Sequence, residues 1–286
     1  MAIVITREFT KMHNRSIEIL PLGDIHLGAA ACDEKEFKDC IDYIANKDDA
    51  YWIGMGDYCD FISMSDPRFD PGSLAPWIKV ADLKNLATIQ KERFIEMTKP
   101  IAHKCLALVK GNHEDTIQHY YEYDIYNAIV TETKKNGHMA QTEKLGIGMY
   151  GWLLIKSYMG KDKAGGASRN VKINLHHGFT GDRLTGAKAL NMQRWLWSHN
   201  ADLVIWGHSH NKLVQDEAVE DVNQAGEVIT IPRKGVISGT FMSSTGKDSN
   251  TYAEKKGYMP LSSGDIPKVV IYYSVKKPRA TIRTIS

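Results

Sequence analysis

Five short clusters carry the side chains of this sequence that could do chemistry. They are Asp24-Ile25-His26, Gly56-Asp57, Gly111-Asn112-His113-Glu114, His176-His177-Gly178 and Gly207-His208-Ser209-His210. Together they offer carboxylate oxygens, an amide oxygen and imidazole nitrogens but no thiolate, a donor mixture that suits Mn, Fe or Zn. Asp24 and His26, two residues apart, can both point towards one ion. Asp57 supplies a carboxylate able to bridge two cations, Asn112 a neutral oxygen, and His176, His177, His208 and His210 imidazoles. These eight candidates exceed the needs of one tetrahedral zinc. Two ions roughly 3.5–4 Å apart would clamp a phosphoryl group and generate a hydroxide nucleophile near neutral pH.

The elements that must deliver these residues can be read from apolar periodicity. Residues 16–22, 50–55, 105–109, 171–175 and 201–206 are short apolar runs, and each leads directly into one of the clusters. In α/β sheets the carboxyl ends of the strands form the ligand crevice, so elements far apart in sequence bring their polar residues to one place. Residues 33–47, with Phe37, Ile41 and Ile44 at helical spacing and Asp33 as N-cap, read as a helix. So do 84–99, stopped by Pro100, a tyrosine-rich stretch from 118 to 133, and 185–199. Strands are also expected at 152–158, 213–219, 227–231, 235–238, 269–275 and 280–285. Helices thus alternate with strands early and strands dominate late. The expected fold class is α/β, a four-layer α/β/β/α sandwich of two mixed β-sheets flanked by helices, with the metal site at the strand C-terminal ends. One domain over 1–286 is expected, with a lid insertion at 61–80 and a polar, Gly/Ser-rich loop at 243–265.

A formal net charge of +2 is too small to imply a polyanionic partner by itself. The stretch 268–286 carries Lys268, Lys276, Lys277, Arg279 and Arg283 without an acidic residue. It reads better as a solvated edge strand with protective lysines than as a nucleic-acid contact. Cys32, Cys40, Cys59 and Cys105 form no CxxC pair and read as reduced thiols of a cytoplasmic protein. No run reaches the roughly 18 apolar residues of a membrane span, and no signal peptide is expected. His13, His103, His119, His138 and His199 lie outside the clusters and read as ordinary surface or core histidines.

A lone Asp-x-His or Gly-Asp is common as a turn or helix cap. Five such clusters in this order, each after an apolar strand, resemble the calcineurin-like metallophosphoesterase superfamily. The resemblance implies that Asp24, His26 and His210 hold one metal, that Asn112, His208 and the histidine before Gly178 hold the other, and that Asp57 bridges them. Of the tandem pair, His177, directly before the glycine, is the expected ligand and His176 the alternative; whichever is not the ligand takes a supporting place or faces the opposite side of the strand. His113 corresponds to a family histidine that contacts the phosphate and protonates the leaving oxygen. A bridging hydroxide would attack phosphorus in line. Glu114 and Asp60 are further candidates, either for the metal or for orienting its ligands. The implied cofactors are two divalent ions, Mn foremost, with Fe, Ni or Zn as alternatives.

The sequence departs from the protein serine/threonine phosphatase branch. That branch has Arg-Gly after the second aspartate of the Gly56-Asp57-Tyr58-Cys59-Asp60 stretch and another arginine after Gly-Asn-His-Glu. Here Phe61-Ile62 and Asp115-Thr116 stand there. Without those arginines the bidentate grip on a phosphomonoester dianion is missing, which moves the expectation towards phosphodiesters of nucleic acid or nucleotides. Arg183 and Lys188 follow the His177-Gly178 turn and are candidate phosphate contacts. Tyr58, Phe61, Trp77 and Tyr120 are candidates for stacking on bases. A phosphomonoesterase and a catalytically silent scaffold are the alternatives. The ligand set argues against the scaffold, since a silent protein would have lost ligands that are all present.

Overall fold

The structure, a computed structural model, describes residues 2–160, 168–178, 184–244, 263–264, 266–274 and 279–285. Along the chain run β1 (Ile3–Phe9), β2 (Arg15–Leu22), α1 (Glu34–Ala45), β3 (Ala50–Gly54), α2 (Leu86–Thr98), β4 (Cys105–Leu108), α3 (Asn112–Tyr121) and α4 (Ile125–Asn136). They are followed by β5 (Tyr150–Tyr158), β6 (Ser168–His176), α5 (Thr185–Ser198), β7 (Leu203–Trp206), β8 (Lys212–Val222), β9 (Val228–Ser238), β10 (Lys268–Tyr273) and β11 (Thr281–Ile285).

The strands form two mixed sheets, a six-stranded one in the order β1-β5-β6-β7-β9-β8 and a five-stranded one in the order β11-β10-β2-β3-β4. In the smaller sheet β2, β3 and β4 run parallel, while β10 runs antiparallel to both of its neighbours, β2 and β11. In the larger sheet β6, β7 and β9 run parallel. The period-two alternation of a strand then sorts side chains between layers. On β2, Ile17 and Ile19 enter the layer between the sheets, where they join Ile53, Leu153, Ile173, Ile205 and Val269. Leu20 and Leu22 face the other way, under Phe37 and Ile41 of α1, Phe94 of α2 and Ile129 of α4. Across the molecule Met192 and Leu196 of α5 cover Val204, Trp206 and Ile237. This is the expected four-layer sandwich. Each fully buried large apolar side chain stabilises it by about 1.5–3 kcal/mol.

Three elements differ from the sequence expectation. The helix expected over 118–133 is two helices, because Glu122 takes a left-handed conformation (φ 53°) and Asp124 caps a fresh start by accepting from the Asn127 N–H. The strands expected at 227–231 and 235–238 are one strand, β9, running through Pro232. Pro232 is opposite Ala218 of β8, beyond the Lys234–Ile237 stretch that pairs with β7, so no second neighbour needs its missing N–H. β1 was not expected; of its residues only Ile5 is buried, which leaves little periodicity to read. β11 is the expected edge strand. Lys276, Lys277 and most of the 243–265 loop lie outside the described residues. No helix among the described residues is long and apolar enough to cross a membrane, and all four cysteines are free thiols.

Candidate metal centre

The parallel strands place the five clusters at one end of the sandwich. β2, β3 and β4 of the smaller sheet lead into Asp24 and His26, Asp57, and Asn112, while β6 and β7 of the larger sheet lead into His177 and into His208 and His210. Backbone hydrogen bonds then zip the loops together. Asp24 N donates to Gly56 O (3.0 Å), Ile25 N to Asp57 O (3.0 Å), and Gly207 N to His177 O (3.0 Å). Bonds that join the sheets here include His177 Nδ1 to Met55 O (2.7 Å) and His208 N to Asp24 Oδ2 (2.8 Å).

These bonds decide which atoms face inward. Asp24 spends Oδ2 on the His208 N–H, and Asp57 spends Oδ1 on the His113 N–H (2.9 Å). Asp24 Oδ1 is left fully buried and accepts no hydrogen bond. His177, with Nδ1 donating to Met55 O, must present the Nε2 lone pair to the site. Around Asp24 Oδ1 stand His210 Nε2 at 3.3 Å and, 3.1 Å from that nitrogen, His26 Nε2. Beside them Asp57 Oδ2 lies 3.8 Å from His26 Nε2 and 3.3 Å from His177 Nε2. Asn112 Oδ1 is 3.0 Å from His177 Nε2, and His208 completes this second group. Donors sharing one ion at about 2.1 Å would lie roughly 3.0–3.4 Å apart. The structure therefore brings all seven expected ligands into two adjoining groups, with Asp57 Oδ2 between them.

The backbone is held against its preference to achieve this. Asp24, His26, Asp57, His208 and His210 all have left-handed φ, at 49°, 50°, 51°, 64° and 52°. Each such residue costs about 1–3 kcal/mol and persists only where its surroundings impose it. Two glycines make the close approach possible. Gly56 has φ +89°, and a Cβ there would meet Gly111 N and His177 Nδ1 at 2.6 Å. At Gly111 a Cβ would lie 2.2 Å from both Asp57 N and Asp57 Oδ1. Gly111→Ala is expected to lose about 1–3 kcal/mol of stability through this overpacking, measured by urea unfolding. An unchanged midpoint would show that the two loops are not so tightly fitted.

The electrostatics favour cations. Burial opposes protonation of His177, but Asp57 and Asp24 outweigh it and hold the imidazole up at about 10. Burial likewise opposes ionisation of Asp57, yet His177, His113 and His26 keep the carboxyl well below its usual range. His26 and His208 are lowered, foremost by burial. The buried carboxylates thus draw protons onto imidazoles, and divalent ions held by the same lone pairs would meet that negative charge instead. Donor types, spacing and the orphaned Asp24 oxygen all fit two such ions.

His113, Asp60 and Glu114 support the centre and are buried. His113 Nδ1 meets the Asp60 carbonyl, and its ring lies edge-on to His26 at 4.6 Å. Against burial, Asp57 and Asp60 raise its tendency to hold a proton. The Asp60 carboxylate is buried, with Oδ1 3.6 Å from His26 Nδ1. Glu114 caps α3 by accepting from Gly111 N (2.8 Å) and also accepts from Asp57 N (3.0 Å) and Tyr58 N (2.8 Å). Burial and the charge of Asp57 push its carboxyl up to about 7. His176 points to the other side of β6, where its Nδ1 accepts from Gly178 N (2.7 Å) and its ring packs on Trp195; burial takes it down to about 4.

Other expectations need correction. Lys188 is buried, and its Nζ donates to the Ser209 carbonyl (3.0 Å) and to Asn211, so it braces the His208–His210 loop from behind rather than facing a phosphate. Tyr58 and Phe61 are core residues with no face to offer a base. Trp77 bonds Glu34 and carries the Arg93 guanidinium 4.5 Å above its ring. Tyr120, 72% exposed, keeps a free ring face among the four. Arg183 lies outside the described residues. Sequence reasoning missed the role of the Met55 carbonyl, which no side-chain pattern can reveal.

A sandwich that gathers carboxylate, amide and imidazole donors where its two sheets meet has the frame of a metal-binding protein. The chain belongs to the calcineurin-like phosphoesterase family, whose sequence profile matches residues 17–212. With that family comes metal-dependent phosphoester hydrolysis as its class of chemistry. Similar solved structures include a metallophosphoesterase from Sphaerobacter thermophilus (12% identity, covering 94% of this chain and 89% of that one, TM-score 0.36). Another is Vps29 from Entamoeba histolytica in complex with zinc (13%, 94% and 98%, TM-score 0.35). A third is the NAD nucleotidase of Haemophilus influenzae (9%, 94% and 49%, TM-score 0.39). No curated protein matches the sequence.

Proposed function

We propose that this protein is a dinuclear phosphodiesterase acting on nucleic acid or nucleotides, with Mn as its preferred ion. The observation that carries the dinuclear reading is the position of Asp57 Oδ2 between two donor groups, 3.3 Å from His177 Nε2 and 3.8 Å from His26 Nε2. Asp24, His26 and His210 hold one ion, Asn112, His177 and His208 the other, and Asp57 is shared. Bound there, the ions supply positive charge for the phosphoryl oxygens and lower the pKa of the attacking water. The chain's own groups do the rest. Asp60, through its carbonyl, fixes His113 so that Nε2 is the ring nitrogen left to hand a proton to the leaving oxygen. Lys188 and Glu114 keep the loops on either side from drifting. The lean towards diesters rests on Phe61-Ile62 and Asp115-Thr116, which stand where a phosphoprotein phosphatase carries its arginines.

Hydrolysis of bis-p-nitrophenyl phosphate and p-nitrophenyl phosphate, with and without Mn, tests this reading. The expected result is Mn-dependent turnover with the higher kcat/KM on the diester. A strong monoester preference would make the protein a phosphatase. Inactivity with Mn, Fe, Ni and Zn alike would sink the enzyme reading. Ion binding has its own readout: at about 100 times its Kd, Mn should stabilise the fold by about 2.7 kcal/mol, a Tm rise of roughly 4–5 °C. A Tm indifferent to Mn and to chelator would refute the metal centre.

A further inference from the structure

The 61–80 segment is attached at both ends beside the centre. It leaves Asp60, whose carbonyl meets His113, and it returns at Leu74, which pairs with Ala29 three residues after His26. Between those anchors Ser63 and Ser65 both bond the hydroxyl of Tyr121, at the end of α3. The segment therefore lies against the helix that begins with Asn112 and His113. Arg68 is exposed on it, and Asp66 holds the Nε–Nη2 edge of its guanidinium at 3.0 and 2.7 Å, which fixes the plane of the fork. The pair follows directly on Ser65, which is tied to α3 through Tyr121.

On this segment and at the end of α3 that it touches, aromatic and apolar surface is left open. Tyr120 is 72% exposed, Tyr121 48%, Tyr123 39% and Met64 55%. Met64 lies between the two serines that touch Tyr121, so the flap and the tyrosines form one surface. At 1.5 Å per helical residue, Tyr120 stands about 10 Å along α3 from His113. A ring at that distance cannot stack on the base beside the scissile bond. It suits a base of a neighbouring nucleotide.

We infer that this surface is a grip for single-stranded nucleic acid, with Arg68 taking a backbone phosphate next to the scissile one and Tyr120 stacking on a flanking base. A positive group with aromatic faces beside it is how sequence-tolerant single-strand binding is built, and the inference rests on the phosphodiesterase reading above. Arginine has five N–H donors, and Asp66 engages only the Nε–Nη2 edge of this one. The protein should therefore prefer an oligonucleotide to a small diester, and the preference should reside in these residues.

The test compares kcat/KM of the Mn-loaded protein on short single-stranded DNA and RNA with that on bis-p-nitrophenyl phosphate, for wild type, Arg68→Ala, Tyr120→Ala and Trp197→Ala. Trp197 is a control, 61% exposed on α5 away from the flap. On whichever strand is cleaved better, Arg68→Ala and Tyr120→Ala should each lower the oligonucleotide-to-small-diester ratio about tenfold, chiefly through KM. Trp197→Ala should keep the wild-type ratio. Arg68→Ala should also reduce the slope of log KM against log salt by about 0.7, the signature of one lost phosphate contact on a single strand. Unchanged ratios in both variants would overturn the grip, as would wild-type protein that hydrolyses the small diester but neither oligonucleotide; the phosphodiesterase reading would survive either result. Wild-type protein inactive on the small diester would sink both.

Discussion

Asp57→Asn is expected to lower turnover of diester and monoester alike by about 10³-fold or more while the fold survives. The asparagine can keep the bond that Asp57 Oδ1 accepts from His113 N, so the loop after β3 has its anchor. The loss comes at the other atom. Where Oδ2 stands between His26 Nε2 and His177 Nε2, an amide would point either a neutral, weaker oxygen or an N–H₂ group at the centre. The N–H₂ group can donate to the His177 Nε2 lone pair, which keeps the pocket satisfied and at the same time closes that nitrogen to an ion. The charge that holds His177 up at about 10 goes as well, so the imidazole has less reason to carry a proton. The checks are kcat on both nitrophenyl substrates, bound Mn by elemental analysis, and the Tm of the chelated protein. Turnover within tenfold of wild type would refute the shared role of Asp57. A variant that fails to fold would show instead that its charge is structural.

Much of this centre was legible before any coordinates, for a physical reason. A parallel strand must end where its polar successor is needed, so the sequence shows an apolar run followed at once by Asp, Asn or His. The runs before Asp24, Asp57, Asn112, His177 and His208 all follow that rule; the glycines at 56 and 207 mark where loops from the two sheets nearly touch, and Gly111 where the loops after β3 and β4 do. What stayed hidden were facts of direction and burial. Lys188 reads as a cation near a phosphate, but α5 turns it inward to the Ser209 carbonyl. Tyr58 follows Asp57 directly, and yet its hydroxyl bonds the Val109 carbonyl (2.7 Å) inside the core. The break between α3 and α4 has no proline or glycine to announce it; Asp124 alone hinted at a new N-terminus. Arg68 was hidden by its place. The family pattern directs attention to arginines beside the motifs, whereas this one stands in the 61–80 segment.

Glu114→Gln is the substitution expected to do most harm from outside the ligand set. The side chain is fully buried, and its two oxygens collect three backbone N–H groups: Asp57 and Gly111 on Oε2, Tyr58 on Oε1. One carboxylate thus ties the turn that carries Asp57 to the turn that carries Asn112, one turn for each of β3 and β4. A glutamine of the same size can serve only one of the two positions. With its oxygen on the Asp57 and Gly111 N–H groups, its own N–H₂ faces the Tyr58 N–H. Two buried donors are then left without acceptors, each costing about 1–3 kcal/mol, so a loss near 3 kcal/mol is expected in urea unfolding of the chelated protein. Loosened turns should also weaken Mn binding by roughly 10–100-fold, the usual cost of losing a group that orients metal ligands. The two readouts separate the possible roles. A purely structural cap would lower stability and leave the Mn affinity of the folded protein unchanged, whereas a clamp on the centre must lower both. Glu114→Asp retains the charge but falls one methylene short, so it should recover part of the Mn affinity that Glu114→Gln loses.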